Sequence, residues 1–327
     1  MNKVNKVVTI GGGTGSYVEL TGLKKYPLKL TAVVTMTDSG GSSGKLRDEL
    51  GVLPPGDVRQ CLVALAESSK LLRDMFNYRF EEGDLKGHSF GNIFLSVLEK
   101  NTGSMKKAIS EIGKILLIKG SVAPVTFTRS ELCVELEDGK KIEGETHIDE
   151  VEKMENRAKI IRAYLKPHAT INEDAENAIL NADFIIIGPG DLYTSVIPNL
   201  LVDGVSKAIK NSKAKKVFVM NLMTKYGQTT NYTAKDHLED LEKYLGKNIL
   251  DYILVNKKGP NKEALTWYKQ FQEIPVIDNL EDDPKIIRTS LIKDVVFKKN
   301  QSDLLKRSII RHDSDKLAKE IVEIVNS

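Results

Sequence analysis

The feature that most constrains the fold is the opening of the chain, where two short β-branched runs flank a glycine-rich turn and a helical stretch. The runs are Val4 to Ile10 and Leu30 to Met36, and the sequence GGGTG with a helical pattern from Tyr17 to Lys25 lies between them. Strands joined in this way are parallel and need both faces covered. Similar short apolar runs recur at 184–187, 217–220 and 252–255. This alternation predicts an α/β, Rossmann-like, doubly wound and mainly parallel sheet.

The middle of the chain has a different pattern. From Leu132 to Glu145 polar and apolar residues alternate around Asp138-Gly139, which is a hairpin signal. We therefore predict one α/β domain over residues 1–327, with an antiparallel hairpin inserted at about 121–146 and a helical tail at about 281–327. The acid-rich stretch from Glu145 to Arg157 is expected to be solvated.

Composition excludes several classes of function. The 48 basic and 45 acidic residues give a net charge of only +3, which does not favour nucleic acid as a partner. Two distant cysteines fit a reducing compartment, and the start of the chain resembles no signal peptide. No run approaches the length that spans a membrane, so we expect a cytoplasmic protein without membrane insertion. The five histidines are scattered singly, and no metal site is predicted.

The first candidate loop follows the first strand directly and precedes a helix. Glycines let a ligand approach the backbone, and a helix start offers unpaired N–H groups and partial positive charge to a phosphate. Ser16 stands where a dinucleotide fingerprint needs its third glycine, so that match is incomplete. A turn selected only for packing is the alternative. The candidate phosphate-binding residues are Gly11, Gly12, Gly13, Thr14 and Gly15.

The second loop follows the second strand and resembles a Walker A sequence. Ser39 replaces its first glycine and Leu46 replaces its magnesium-binding Ser/Thr, which disfavours a P-loop NTPase. Backbone amides and serine hydroxyls still form a reasonable anion cradle. A serine hydrolase with Ser42 as nucleophile is a weaker alternative, because residues 37–39 separate strand from turn. The candidate ligand-binding residues are Asp38, Ser39, Gly40, Gly41, Ser42 and Ser43.

Further candidates lie at other turns. Asp57 is placed to cap the helix 57–67, and Arg59 opposes that helix's dipole, which makes it a candidate for a ligand phosphate or for an ion pair. Asn92 can hydrogen-bond a base or sugar, whereas the nearby His88 is more readily structural than catalytic. Because ligands of open parallel sheets bind at the carboxyl ends of the strands, we expect all these loops to converge. The turn after the run 184–187 adds Gly188, Gly190 and Asp191.

Four segments together resemble the bacterial gluconeogenesis factor family, within the 2-phospho-L-lactate transferase superfamily. The resemblance runs from residue 3 to about residue 313 and implies a Rossmann-like fold with a crevice for a nucleotide diphosphate. In the gluconeogenesis factor branch it implies binding of UDP-sugars, notably UDP-N-acetylglucosamine, and support of cell shape and envelope synthesis during gluconeogenic growth. In the transferase branch it implies transfer of a phospholactyl group to a deazaflavin with magnesium. The segments are GGGTG, TDSGGSSGKLRDELGVLPPGDVRQCLVAL, GHSFGNIFL and IIIGPGDLYTSVIPNLLV.

Carried over by position, the resemblance implies that Gly12 to Gly15 and Ser39 to Ser43 contact phosphates, while Asp38, Asn92, Gly190 and Asp191 line the cleft. Two departures favour the branch without a transferase activity. The superfamily often has paired acids where this chain has Asp38-Ser39, and acids are absent from 122–128. The leading hypothesis is therefore a UDP-sugar-binding regulator with no catalytic residues, no required cofactor and at most weakly bound Mg²⁺.

Two residues near the end complete the predicted site. Arg311 is expected to close over the ligand from the C-terminal side, and Tyr268 to stack on its base. A plain surface or packing role competes with both expectations, and more strongly for Tyr268. The partners implied are UDP-N-acetylglucosamine and unidentified envelope-synthesis proteins, with a homodimer left open. A metal-dependent group transferase is the alternative function, and an NAD(P) oxidoreductase has only the partial glycine fingerprint in its favour.

Overall fold

The computed structural model describes residues 4–149, 157–293 and 308–326. Strands and helices alternate along most of the chain, as the sequence predicts. The strands are β1 (Lys6–Gly11), β2 (Lys29–Val34), β3 (Ser121–Pro124), β4 (Glu131–Leu136), β5 (Lys141–Glu143), β6 (Ile160–Lys166), β7 (Phe184–Ile187), β8 (Lys215–Val219), β9 (Tyr252–Asn256) and β10 (Ile286–Thr289). The helices are α1 (Gly13–Leu23), α2 (Gly41–Leu50), α3 (Gly56–Leu65), α4 (Lys70–Asn77), α5 (Phe90–Thr102), α6 (Met105–Leu116), α7 (Glu145–Asp149), α8 (Glu173–Leu180), α9 (Ile197–Leu200), α10 (Val205–Asn211), α11 (Ala234–Leu245), α12 (Lys262–Lys269) and α13 (Ser314–Asn326), with a π-helical turn at Leu192–Val196.

Seven strands form one parallel sheet in the order β10-β9-β8-β7-β1-β2-β3. The chain therefore builds outward from β1 in one direction through β2 and β3, and then in the other direction from β7 to β10. The direction changes between β1 and β7, and a crevice forms at such a point, beyond the carboxyl ends of the strands. The α/β, Rossmann-like fold class is confirmed.

Alternate residues of the central strands point into two separate cores, because successive side chains of a strand face opposite ways. Val8 and Ile10 belong to the core that also holds α8, α10, α11 and the small sheet. Val7 belongs to the core formed with α1, α3, α5, α6 and α13. Both faces of the sheet are thus covered, which explains why its strands read as nearly continuous apolar runs.

The insertion is a three-stranded antiparallel sheet in the order β5-β4-β6. The predicted hairpin is present as β4 and β5, with Gly139 at a φ of +84° in its turn. β6 pairs with β4, although its segment gives no clear strand pattern in the sequence. β3, at the start of the range predicted for the insertion, instead pairs with β2 in the large sheet.

The C-terminal region is only partly helical. α13 packs on α1, where a Cβ on Gly22 would lie 2.0 Å from the carbonyl oxygen of Ser314, so only glycine permits this approach. β10, by contrast, is a strand of the large sheet within the stretch predicted as a helical tail. Residues 294–307 of that stretch lie outside the described residues. Among the described helices, none has both the length and the apolar character needed to cross a bilayer.

Candidate functional site

A pocket lies at the carboxyl ends of β1, β2, β7 and β8, at the point where the strand order changes direction. Most of its lining residues are polar or glycine, and a few apolar side chains complete it. The lining from the first half of the chain is Gly12, Gly13, Thr14, Gly15, Val18, Asp38, Gly40, Ser42, Ser43, Gly56, Asp57, Arg59, Gln60, Arg79 and Asn92. The remainder is Glu145, Thr146, Asp149, Pro189, Gly190, Asp191, Thr194, Ser195, Asn221, Leu222, Met223, Thr224, Lys225, Glu273, Ser308, Ile310, Arg311 and His312.

The first loop passes almost immediately into α1, which begins at Gly13. A Cβ on Gly12 would lie 2.3 Å from Oδ2 of Asp57, and one on Gly15 would lie 2.0 Å from the carbonyl oxygen of Pro189. The backbone of this loop therefore lies pressed between α3 and the turn after β7. Packing thus accounts for these two glycines, and it also brings the start of α1 to the pocket.

The second loop leads into α2. Oδ1 of Asp38 accepts a hydrogen bond from the N–H of Gly40 at 2.9 Å, which fixes the turn. Ser42 and Ser43 lie in the first turn of α2, are both buried, and line the pocket. Ser39 instead bonds to the insertion, since its hydroxyl accepts from the N–H of Thr146 at 3.1 Å.

Two further helices begin at the same pocket. α3 follows Pro55, which has no side-chain capping bond, and Asp57 lies within its first turn with its carboxylate against Gly12. The prediction that Asp57 caps this helix is therefore wrong. Asn92, in the first turn of α5, accepts a hydrogen bond from Nε of Arg59 at 2.8 Å and donates one to Oγ of Ser43 at 3.4 Å. The side chain of Arg59 thus joins these helices as well as lining the pocket.

The four helices that start at the pocket share one local property. In α1, α2, α3 and α5 the residue before the helix makes no side-chain hydrogen bond to the first-turn amides. The first amides of a helix have no partner inside the helix. The residue before each helix therefore leaves these N–H groups to other partners, and the positive ends of four helix dipoles lie at the pocket.

The opposite wall comes from the turns after β7 and β8. Nδ2 of Asn221 donates to the carbonyl oxygen of Gly190 at 2.8 Å. Nζ of Lys225 lies 3.3 Å from Oδ2 of Asp191 and 3.8 Å from Oδ2 of Asp149. Burial alone would lower the pKa of Lys225, but these carboxylates and Glu273 outweigh it and hold the pKa above its ordinary value. Lys225 is therefore a fixed cation that ties the two turns to the insertion.

Acidic residues of the insertion also reach the pocket. Burial, followed by the neighbouring Asp38, Asp149 and Asp57, raises the pKa of Glu145 well above its usual range. Burial raises the pKa of Asp149 as well, although Lys225 lowers it. Both side chains are half-buried at the pocket, so the expectation that the stretch from 145 is solvated holds for them only in part.

These carboxylates do not form a ready metal site. Within residues 4–149, 157–293 and 308–326, no group of three His, Cys, Asp or Glu side chains is arranged to hold a metal ion. A divalent cation at this pocket would need water and phosphate oxygens for most of its ligands, which is a mode that Mg²⁺ commonly adopts.

The end of the chain closes the pocket on one side. Arg311 lines it, as predicted, next to Ile310 and His312. Tyr268 does not line it, because its ring is buried in a separate cluster with Ile292 and Ile310. Its hydroxyl accepts a hydrogen bond from the N–H of Ile310 at 3.1 Å. In this structure Tyr268 therefore positions the segment that carries Arg311 and presents no ring face to a ligand.

Most of the predicted site residues come together. Thirteen of the eighteen line the pocket: Gly12, Gly13, Thr14, Gly15, Asp38, Gly40, Ser42, Ser43, Arg59, Asn92, Gly190, Asp191 and Arg311. The five others are Gly11, Ser39, Gly41, Gly188 and Tyr268, of which the first four are immediate neighbours of lining residues. Sequence reasoning missed Lys225 and Asn221 after β8, although the rule that ligands bind at strand ends applies to that strand too. It also missed Glu145 and Asp149, for which the sequence carries no such signal.

The chain resembles proteins of one family along nearly its whole length. The model of the 2-phospho-L-lactate transferase CofD family matches residues 7–296. A Halalkalibacterium halodurans protein named gluconeogenesis factor is 44% identical, over 98% of this chain and 97% of its own. A Bacillus subtilis protein of the same name is 38% identical, over 99% of both chains.

Solved structures agree with these relatives. A crystal structure of a protein from Bacillus halodurans, 40% identical in sequence, superposes with a TM-score of 0.87 and covers 98% of this chain and 100% of that one. The glycine and serine loops that the resemblance rests on are the same loops that converge at the pocket. This chain therefore belongs to the gluconeogenesis factor branch of the 2-phospho-L-lactate transferase family.

Proposed function

We propose that the pocket binds a nucleotide-sugar, UDP-N-acetylglucosamine or a close relative, and that this binding regulates metabolism and cell-envelope synthesis. The observation that carries the proposal is the convergence of four uncapped helix starts, α1, α2, α3 and α5, on one pocket. A diphosphate matches such a site, because its oxygens accept hydrogen bonds and its charge is favourable at helix N-termini.

The expected affinity follows from the number of such bonds. Hydrogen bonds to charged groups contribute about 1.5–3 kcal/mol each. Three or four of them, offset by the cost of ordering ligand and side chains, give a free energy of binding of roughly −8 kcal/mol, which corresponds to micromolar affinity. The hydroxyls of Ser42 and Ser43 supplement the backbone donors in this site.

The regulatory part of the proposal is supported by the relatives named gluconeogenesis factor. It implies protein partners in envelope synthesis that receive the ligand-bound state. Both cysteines, Cys61 and Cys133, are free and buried, which fits action in the reducing cytoplasm.

Isothermal titration of the purified protein with UDP-N-acetylglucosamine, with GDP and NAD in parallel, tests the ligand. We expect saturable binding that is selective for the UDP-sugar. Arg311→Ala should weaken it about tenfold or more through loss of a charge-assisted contact, without lowering the melting temperature. Arg129→Ala is the matched control, because Arg129 is half-exposed, pairs with Asp48 and lies outside the pocket lining. Unchanged affinity of the Arg311 variant would remove that residue from the site.

A group-transfer reaction is the second candidate function. The family model carries the name of a transferase, and six acidic residues line the same pocket: Asp38, Asp57, Glu145, Asp149, Asp191 and Glu273. This function predicts GDP binding in place of UDP-sugar binding, together with metal-dependent turnover that Asp38→Asn abolishes. Turnover that survives this substitution would exclude a role for Asp38 in such a reaction.

A further inference from the structure

A histidine outside the pocket lining is in contact with its central serine. His88 lies on the loop between α4 and α5, where the N–H of Phe80 donates to the carbonyl oxygen of His88 at 2.9 Å and the N–H of His88 donates to that of Leu85 at 2.9 Å. The side chain of His88 is buried and points to α2, so that Nδ1 lies 3.3 Å from Oγ of Ser42. The loop thus holds the imidazole firmly behind the phosphate-binding turn.

Oγ of Ser42 has a second fixed neighbour from the same loop. The N–H of Ser89 donates to it at 3.2 Å. A serine hydroxyl has two acceptor lone pairs and one proton to donate. When Nδ1 of His88 carries a proton, the amide and the imidazole occupy both lone pairs, and the hydroxyl proton must point elsewhere. The remaining direction is the pocket that Ser42 lines.

We propose that His88 is a positioning residue for the ligand: with the amide of Ser89 it fixes the hydroxyl of Ser42 as a donor to a phosphate oxygen. The proposal deepens the proposed function and rests on it as far as the identity of the ligand is concerned. The chemistry that it requires is only a phosphate or diphosphate group at the start of α2. In the opposite arrangement, the hydroxyl of Ser42 donates to Nδ1 and presents only lone pairs to the pocket. These lone pairs repel a bound anion.

The charge around His88 makes this arrangement sensitive to pH. Burial, then Lys45 on α2 and Arg79 on the same loop, lower the pKa of His88, while Glu49 on α2 raises it. A phosphate bound beyond Ser42 adds negative charge and favours the imidazolium, which donates from both nitrogens. Ligand binding should therefore be accompanied by proton uptake. The affinity should fall as the pH rises through the window between the pKa of His88 in the free protein and its higher pKa in the complex.

The test compares His88→Ala with His88→Asn, using inorganic pyrophosphate and UDP-N-acetylglucosamine as probes. The amide nitrogen of asparagine can donate from about the place of Nδ1 but does not titrate. We expect about a tenfold or greater loss of affinity in His88→Ala, recovery to within about threefold in His88→Asn, and a flatter pH profile in His88→Asn than in wild type. Comparison in the same buffers cancels the titration of the probe itself.

A double-mutant cycle with Ser42→Ala separates this role from a general effect on folding. His88→Ala should cost little further affinity once the hydroxyl of Ser42 is gone. Unchanged affinity of His88→Ala, or full additivity with Ser42→Ala, would overturn the proposal. If pyrophosphate binding depends on His88 while the UDP-sugar does not bind, the positioning role stands and the proposed ligand is wrong. A wild-type protein that binds neither probe would overturn both.

Discussion

Four helices that begin at the pocket differ from most of the described helices that begin elsewhere in how their first turns are capped. Five helices that do not line the pocket start with a side-chain capping bond: α4 at Ser69, α6 at Ser104, α8 at Asn172, α11 at Thr233 and α12 at Asn261. The four that start at the pocket lack one. Ser89 shows the difference most clearly, since this good capping residue precedes α5 but its hydroxyl bonds to the carbonyl oxygen of Phe76 at 3.4 Å.

The absence of caps carries a cost that a bound anion can offset. A side-chain cap stabilises a helix by about 1 kcal/mol relative to alanine, but glycine, which precedes α1 and α2, gives up only a few tenths of a kcal/mol, so the loss at these two starts is modest. Away from the pocket, five helices have such a cap, whereas α10, which follows Gly204, does not. We infer that the pocket-facing amides are left for an anion, which satisfies them when it binds.

Giving α2 a cap of its own tests this contrast most directly. Gly40 precedes α2 in an extended conformation, with φ −89° and ψ 151°, that any residue adopts. Gly40→Asp should place a carboxylate on the first amides and lower the affinity for UDP-N-acetylglucosamine about 100-fold, through the loss of one or two charge-assisted bonds and through repulsion. The melting temperature should stay the same or rise. Titration and thermal unfolding measure the two effects.

Ser104→Asp is the matched control, because it exchanges one capping residue for another at a helix start away from the pocket. It should change neither affinity nor stability appreciably. Gly40→Ser adds a neutral cap and should lower affinity less than Gly40→Asp does. If the Gly40→Asp variant folds and binds as tightly as wild type, the start of α2 does not hold the phosphate.

A second contrast concerns buried carboxyl groups in the two kinds of helix. Asp240, in the capped α11, is buried but accepts hydrogen bonds from the hydroxyls of Tyr193 and Tyr232, both at 2.6 Å. Glu19, in the uncapped α1, is fully buried, and neither carboxyl oxygen has a hydrogen-bond partner among the described residues. Burial raises the pKa of Glu19 well above its usual value. Burial therefore favours the neutral form of this carboxyl in the folded protein.

Glu19→Met should consequently stabilise the protein, and the gain should depend on pH. Because the folded pKa of Glu19 lies above the unfolded one, wild-type stability falls as pH rises through the window between them. Methionine has no carboxyl group to titrate, so the variant does not lose stability in this way. Its free energy of unfolding should exceed that of wild type by about 2 kcal/mol near neutral pH, and by less near pH 4.5. Urea unfolding at several pH values measures the difference. A constant difference across the window would show that Glu19 does not titrate on unfolding.

How much of the fold and of the site could be predicted from the sequence depends on how far apart in the chain the interacting residues lie. The βαβ opening and the hairpin at Asp138-Gly139 are local patterns, and both are confirmed. The prediction that Asp57 caps its helix also used a local rule. It fails because the carboxylate packs against Gly12, 45 positions earlier in the chain. β6 is missed because its alternation is irregular, and Glu145 because an acid-rich segment gives no sign that it folds back over a pocket.

The smallest predicted effect concerns the capped helices themselves. Oγ of Ser104 accepts a hydrogen bond from the N–H of Lys107 at 3.3 Å, and α6 turns its buried residues Ala108, Ile112 and Leu116 to the core. Ser104→Ala should lower the free energy of unfolding by about 1 kcal/mol, because one helix amide loses its partner. Affinity for UDP-N-acetylglucosamine should not change. An unchanged free energy of unfolding would show that the Ser104 cap does not stabilise the protein. A loss of affinity would show that a capped helix start away from the pocket also affects binding.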